Sequence, residues 1–266
     1  MSTFDTVPAA ARPRADAWGY LILSEGRLVA RDTAGMIIPV VLPLLIMVMS
    51  SLGLADNEEA RGLPEFGGLS PLEAIVIPIT VAMIIAIVGI VNMPSFLATH
   101  RKTGVLRRLS TTPANPAMVL IAQVVVSFVQ TAIGTGLALG VAAVGFGLQP
   151  PRHLAVAVGV VLLTALAMYA VGMLIGAVAP TTNAAIAIGL LVFFALLALG
   201  GGFGGAAQLP DALETLGGWL PYGAGAESLG AAWIGEPVRA LHLAVLAATT
   251  VVCGGLAVLG FRWGER

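Results

Sequence analysis

Charged residues are scarce in this chain, since Asp, Glu, Lys and Arg make up only 10% of its 266 residues while 58% are hydrophobic. Soluble domains contain about 25% charged residues, so this chain cannot cover a surface that faces water. We therefore predict an integral membrane protein, with membrane lipids among its partners. The formal net charge of −1 leaves no strongly basic surface, and no nucleic-acid partner is expected.

Cysteine, lysine and histidine are also rare, and each rarity excludes a kind of chemistry. Cys253 is the only cysteine, so no internal disulfide can form. The only lysine, Lys102, precedes a glycine instead of following a glycine-rich turn, so the chain has no P-loop and does not hydrolyse ATP itself. His100 and His153 lie in predicted loops, far from His242, and form no metal cluster. We expect no catalytic, cofactor-binding or metal-binding residue.

Six apolar runs are predicted to cross the bilayer, which takes about 20 residues in a helix. Because backbone groups in lipid must be satisfied within their own segment, each run should be α-helical. The fold class is therefore all-α, with six transmembrane helices. The predicted spans cover residues 34–54, 72–97, 117–146, 153–178, 184–199 and 238–261.

The residues before the first span divide into a tail and an amphipathic segment. Residues 1–14 are polar and contain two prolines, so a disordered tail is expected. Residues 15–33 place apolar and charged side chains at helical spacing, which predicts an N-terminal interfacial amphipathic helix. Residues 15–266 would form a single transmembrane domain.

A second irregular stretch, residues 206–236, lies between helices 5 and 6. Proline and glycine interrupt it, so no run of about 20 apolar residues exists there. We predict a broken re-entrant segment of two short helices on the outer side. Its aromatic residues Trp219, Tyr222 and Trp233 are expected at the membrane interface.

Several residues inside the predicted spans point to helix packing. Pro39 and Pro43 should kink the first span, and neighbouring helices must then satisfy the freed carbonyls. Gln123 and Gln130 are seven residues apart, so they share a face and should hydrogen-bond within the bundle. Glycines at GxxxG spacing predict close approach of helices, with dimerisation as the alternative role: Gly136 with Gly140, and Gly172 with Gly176.

The centres of the spans contain no Asp, Glu, Lys or Arg, and Glu73 lies at the outer end of the second one. Ion-coupled carriers keep such groups near the midplane, so that class is disfavoured. An intramembrane protease needs a nucleophile with a base, and neither Ser127 nor Ser228 has a convincing partner. The glycine run at 200–205 lacks the polar groups of a channel filter. Energy for transport would therefore have to come from outside the chain.

The most distinctive stretch is the basic segment at residues 100–113, between the second and third spans, with the sequence HRKTGVLRRLSTTP. Gly104 is predicted at a bend, and Pro113 ends the short helix that follows. Leu106 and Leu109 lie three residues apart on one face of this helix. A topogenic loop needs only positive charge, whereas a helix with apolar residues between its charges also offers a surface for a partner protein.

The distribution of basic residues predicts the orientation, because such residues beside spans stay in the cytoplasm. Six spans place both termini on the side of the basic segment. High Ala, Gly and Val content, with Arg almost wholly replacing Lys, indicates a GC-rich bacterial genome, so we expect a multi-pass protein of the bacterial cell (inner) membrane with both termini cytoplasmic. Ten of the 13 basic residues lie on that side: Arg12, Arg14, Arg27, Arg31, Arg101, Lys102, Arg107, Arg108, Arg262 and Arg266.

Three features together resemble the membrane subunit of type-2 ABC exporters, the class that includes daunorubicin-type drug efflux permeases. They are the basic segment, the six spans after an amphipathic helix, and the broken segment before the last span. The resemblance maps the family's ATPase-coupling segment onto 101–113. Many members have acidic residues just before the glycine, where this chain has His100, Arg101 and Lys102. The expected ATPase-coupling residues are Arg101, Lys102, Gly104, Leu106, Arg107, Arg108, Leu109, Thr112 and Pro113.

The resemblance implies a permease that is not itself an enzyme and pairs with a separate cytoplasmic ABC ATPase subunit, where ATP and Mg²⁺ would bind. A second permease copy or a paralogue would complete a homo- or heterodimer. The expected cargo is a hydrophobic or amphipathic compound, a drug or a lipid-like molecule, moved out of the cytoplasm. The alternatives are a non-transporting membrane scaffold or lipid-modifying subunit, and an ion-coupled secondary carrier.

Overall fold

The computed structural model describes residues 15–55, 68–102, 117–203 and 210–260. Within these ranges the regular elements are helices, and six of them are long and apolar enough to cross a membrane. The predicted all-α membrane fold is therefore confirmed. The predicted disordered tail at 1–14 lies outside the described residues.

The helices are numbered here in chain order. An amphipathic helix, α1, leads through Asp32 into the first long helix, α2. Two short helices, α7 and α8, separate the fifth and sixth long ones. The bounds are Ala15–Arg31 for α1, Thr33–Ala55 for α2, 72–102 for α3, Ala117–Phe146 for α4, Leu154–Val178 for α5, Thr182–Leu199 for α6, Asp211–Gly218 for α7, Pro221–Ile234 for α8 and Ala240–Gly260 for α9.

The predicted spans agree with these helices to within two residues at each end, except at the end of the second span. That span was expected to stop at residue 97, but α3 continues to Lys102. The prediction that His100 lies in a loop is therefore wrong. The apolar run does end at Leu97, yet the helix continues because neighbouring helices bury its next polar residues, Thr99 partly and His100 almost completely.

Helix α3 is the centre of the bundle. It contacts α2, α4, α5, α6 and α8, and most of its residues are buried inside the protein. Ile84, Ile85 and Ile90 are fully buried. By contrast, α2 and α9 bury a much smaller share of their residues and leave apolar side chains exposed on their outer faces, as expected for helices that face lipid.

Two turns of α3, Leu72–Val76 and Ile87–Asn92, have π-type hydrogen bonding. Each precedes a proline, Pro78 or Pro94, whose ring would clash with the carbonyl four residues earlier in a regular α-helix. In both turns the closing N–H bonds the carbonyl five residues back, which widens the backbone before the ring. The two prolines thus account for the irregular turns of the central helix.

Glycines on α5 and α6 allow these helices to lie directly on the second π turn. A Cβ at Gly172 would overlap the carbonyl oxygen of Gly89, and a Cβ at Gly189 would overlap that of Ile90. The Ile90 carbonyl is also the one that Pro94 deprives of its α-helical donor. Close packing by α5, predicted from glycine spacing, is therefore confirmed at Gly172.

The two predicted glycine pairs behave differently. An added Cβ at Gly176 would lie 3.0 Å from the side chain of Leu97, so this residue also faces α3. Nothing lies within 4 Å of an added Cβ at Gly136 or Gly140. The prediction of close packing within the described chain is therefore wrong for these two glycines, because spacing alone does not tell which face of a helix turns inward. Their alternative role in dimerisation stays a prediction.

The aromatic residues of α7 and α8 do not share one environment. Trp219 is 56% exposed, but Tyr222 and Trp233 are buried where α8 packs on α3 and α5. The expectation of an interfacial position is therefore wrong for the latter two. Their polar atoms find partners inside the protein, since the Tyr222 hydroxyl donates to the carbonyl of Ile79 (3.2 Å) and the Trp233 N–H donates to that of Gln149 (3.0 Å). Burial also raises the pKa of Tyr222, so its hydroxyl stays a neutral donor.

Candidate functional site at the end of α3

The predicted ATPase-coupling residues begin at the last turn of α3. Arg101 and Lys102 are helix residues there. Around this turn lie α1, the first turns of α4 and α6, and the last turn of α5; we call this region the α1 end of the bundle. The remaining predicted residues lie outside the described ranges: Gly104, Leu106, Arg107, Arg108, Leu109, Thr112 and Pro113.

A buried polar pair links α1 to the end of α3. The Nε2 atom of His100 lies 2.9 Å from Oε2 of Glu25, and the two side chains are 5% and 6% exposed. Because an unpartnered buried polar group costs about 1–3 kcal/mol, the two groups favour this arrangement over one in which they separate inside the protein.

The residue before His100 faces another helix. The hydroxyl of Thr99 lies 3.3 Å from that of Thr182, the first residue of α6. Nearby, Ala98 packs against Ala179 and Ala185. The last turn of α3 therefore lies between α1 on one side and the start of α6 on the other.

Sequence analysis missed the Glu25–His100 pair. Glu25 falls four residues after Leu21, which packs towards α4 and α5, and four before Val29, which packs towards α3 and α4. Its position on the apolar face of α1 was a signal that it is buried. The partner lies 75 residues away on another helix, and local periodicity does not reveal such a pairing.

A second polar cluster lies about two turns before His100 on α3. The side-chain amides of Asn92 and Gln130 both donate to the carbonyl of Gly35, each at 2.6 Å. This joins the start of α2 to α3 and α4. The predicted bonding of Gln130 within the bundle is confirmed. Gln123 is buried as well, although its carbonyl oxygen has no hydrogen-bond partner among the described residues.

The middle of the bundle contains a third polar cluster, between α4 and α5. The Tyr169 hydroxyl donates to the carbonyl of Ser127 at 2.9 Å and lies 2.7 Å from the Thr131 hydroxyl. The ring of Phe128 packs edge-on against Tyr169. Ser127 thus serves through its backbone, and the cluster contains hydroxyl and carbonyl groups but no base that could activate a nucleophile.

Glu73 is the only Asp, Glu, Lys or Arg within the six candidate spans. It lies at the end of the bundle opposite to α1 and is 5% exposed. Its carboxylate accepts hydrogen bonds from the backbone and hydroxyl of Ser70 and, at 3.2 Å, from the backbone N–H of Gln149. These bonds join the start of α3 to the loop before α5, so Glu73 has a structural role.

His242 also lies at this opposite end. It is buried, with Nε2 3.5 Å from Oε2 of Glu227 on α8. Arg239 approaches the same carboxylate at 3.8 Å but is largely exposed. His242 thus lies where α9 packs against α8. In the described part of the chain no group of three or more His, Cys, Asp or Glu residues could hold a metal ion.

Comparison with known proteins gives one family. Residues 17–232 match the model of the ABC-2 type transporter family, a stretch that runs from α1 to α8 and includes the predicted coupling segment. None of the curated proteins matches this chain. The family match covers more than half of the 266 residues. The chain therefore belongs to the ABC-2 type transporter family, as a multi-pass membrane subunit for transport.

Proposed function

We propose that this chain is the permease subunit of an ATP-driven exporter, with ATP hydrolysed on a separate cytoplasmic ABC ATPase. The observation that carries the proposal is the absence of charged groups from the spans: the one exception, Glu73, is held by structural hydrogen bonds. Family membership supports the partnership with an ATPase. The segment at 101–113 would contact that partner through its basic and apolar side chains.

The proposed cargo is hydrophobic or amphipathic, a drug or a lipid-like molecule. The spans offer hydroxyl, amide and apolar groups but no charge at mid-membrane that could hold an ion. Two permeases, identical or paralogous, would enclose the pathway between them. ATP binding to the ATPases would shift this pair between two states, because a ligand shifts an equilibrium only through differential affinity.

The proposed orientation places both termini and the α1 end in the cytoplasm of a bacterial cell. The concentration of basic residues beside the spans at this end supports it. A reporter fused at Pro64, between the first two spans, should behave as an external one. Cytoplasmic behaviour of that reporter would reverse the orientation and remove the coupling segment from reach of an ATPase.

The coupling role is tested with the L106D/L109D double variant. Two carboxylates should break contact of the apolar face with the ATPase, so export of an amphipathic dye from proteoliposomes should stop while membrane insertion continues. The matched control is L213D/L216D, a pair with the same spacing on exposed positions of α7. Dye export that survives in L106D/L109D, or failure of an ATPase to co-purify with the wild-type chain, would count against the proposal.

A further inference from the structure

The Glu25–His100 pair lies beside the predicted coupling segment. His100 immediately precedes Arg101, the first residue of that segment. Glu25 lies on α1, which continues through Asp32 into α2. The pair therefore joins the helix that precedes the first span to the residue next to the coupling segment.

Apolar contacts already attach α1 to the bundle without this pair. Val29 packs with Phe96 of α3 and Val126 of α4, and all three are buried. Such contacts are non-directional, since they depend on the area removed from water. A hydrogen-bonded pair at 2.9 Å has a preferred direction as well as a preferred distance. What the pair adds to the apolar contacts is thus a fixed rotation of α1 relative to the last turn of α3.

The connection between α1 and α2 is also held by hydrogen bonds. The backbone N–H of Gly35 donates to the side chain of Asp32 at 3.1 Å, which caps the start of α2. The Gly35 carbonyl is bonded in turn by Asn92 and Gln130. The start of α2 is therefore held by hydrogen bonds both to Asp32, at the end of α1, and to α3 and α4.

We propose that Glu25 and His100 are positioning residues for coupling, and that their pair makes α1 and the start of α2 follow the segment at 101–113 when the ATPases close. This inference rests on the proposed function. Neither residue touches ATP or cargo; they act by keeping α1 in register with the end of α3.

The first test measures geometry and needs no ATPase. In a C253A background, which removes the only cysteine, spin labels are attached at L23C on α1 and N183C on α6, both exposed positions. The full chain in lipid nanodiscs should give one narrow distance distribution. E25H and H100E should each broaden it, because two like groups then meet in the buried site, and the swapped double variant E25H/H100E should restore it.

The second test measures coupling with the wild-type chain and its co-purified ATPase in proteoliposomes, with Hoechst 33342 as the amphipathic probe. Positional coupling of this kind amounts to about 0.5–2 kcal/mol, so each single variant should export about two- to thirtyfold less dye per ATP hydrolysed. The swapped variant should return to within about twofold of wild type. V29A is the control, since it trims the packing of α1 but leaves the pair; it should lower thermal stability and leave the dye-to-ATP ratio unchanged.

The outcomes separate this inference from the function on which it rests. Restoration of both the distance distribution and the dye-to-ATP ratio by the swap supports the positioning role. An unchanged ratio in the single variants, or no rescue by the swap, overturns it. If the wild-type chain shows neither ATP-dependent export nor an ATPase partner, both the proposed function and the coupling role are refuted. The distance measurement still decides whether the pair orients α1. An unchanged distance distribution in the single variants would show that the pair does not orient α1.

Discussion

Pro39 deprives the carbonyl of Gly35 of its helical donor, and two side chains from other helices replace it. In a regular helix the Gly35 carbonyl accepts from the N–H four residues later, but proline has no N–H. Asn92 of α3 and Gln130 of α4 donate to it instead, both at 2.6 Å. The expectation that neighbouring helices satisfy a carbonyl freed in the first span is confirmed here. A proline on one helix thus accounts for buried amides on two others.

The two donors should therefore act as a unit. Either N92A or Q130A removes one hydrogen bond and should destabilise the protein by about 1 kcal/mol, because the other amide still satisfies the carbonyl. The double variant leaves a buried carbonyl unpaired and should cost about 1–3 kcal/mol beyond the sum. Thermal unfolding of the purified chain measures all three. Q149A, at an exposed amide, serves as the control, and strictly additive losses would contradict the argument.

The contact between α5 and the π turn of α3 should tolerate no added side chain. In G172A the new methyl group would overlap the Gly89 carbonyl, and overpacking of this kind costs about 1–3 kcal/mol or more. G136A places the same methyl group in open space on α4 and should be neutral or raise stability by up to about 1 kcal/mol. Melting temperatures of the two variants, compared side by side, check the difference. Equal melting temperatures would mean that α5 does not lie against this turn.

Glu73 distinguishes an ATP-driven exporter from an ion-coupled carrier. A carrier that used the only carboxylate of its spans would lose transport in E73Q. We expect export to persist, with a loss of stability of about 1–3 kcal/mol because the amide replaces one accepting oxygen by a donor that faces backbone N–H groups. Dye export is measured with ATP alone and with a proton gradient alone. Transport that needs the gradient and disappears in E73Q would favour the carrier.

The hydroxyl of Tyr169 should stabilise the centre of the bundle. Y169F removes the bond to the Ser127 carbonyl and the contact with Thr131, while the edge-on packing with Phe128 remains. The expected loss is about 1–2 kcal/mol in the free energy of unfolding. Y20F makes the same change at a side chain that is 76% exposed and should have no measurable effect. A stability for Y169F equal to that of Y20F would show that the hydroxyl contributes little.

Local patterns predicted the helices well, because each apolar run reports directly on burial in lipid or protein. The bounds of α4 agree with the prediction at both ends. The same patterns failed at the end of α3. There His100 is paired with Glu25 of α1 inside the protein, and the polar turn is helical. They also failed for Tyr222 and Trp233, whose burial depends on acceptors from distant parts of the chain, Ile79 and Gln149.

The site itself could be predicted only in part. The basic segment at 101–113 stands out by composition, and Arg101 and Lys102 lie where α3 ends. Its interpretation as a coupling segment remains a prediction. The surrounding contacts, such as that between Thr99 and Thr182, join residues far apart in sequence, so no single stretch of the chain contains the signal for them.

The enclosure of α3 has a consequence for how the protein is made. The carbonyl of Ala74, which Pro78 deprives of its donor, faces Gly230, where an added Cβ would lie 2.9 Å from its oxygen. Gly230 is on α8, which leaves the ribosome long after α3. During synthesis, therefore, α3 is made before the helix that covers this part of its surface. The central helix can thus reach its enclosed position only after the chain has been made as far as α8.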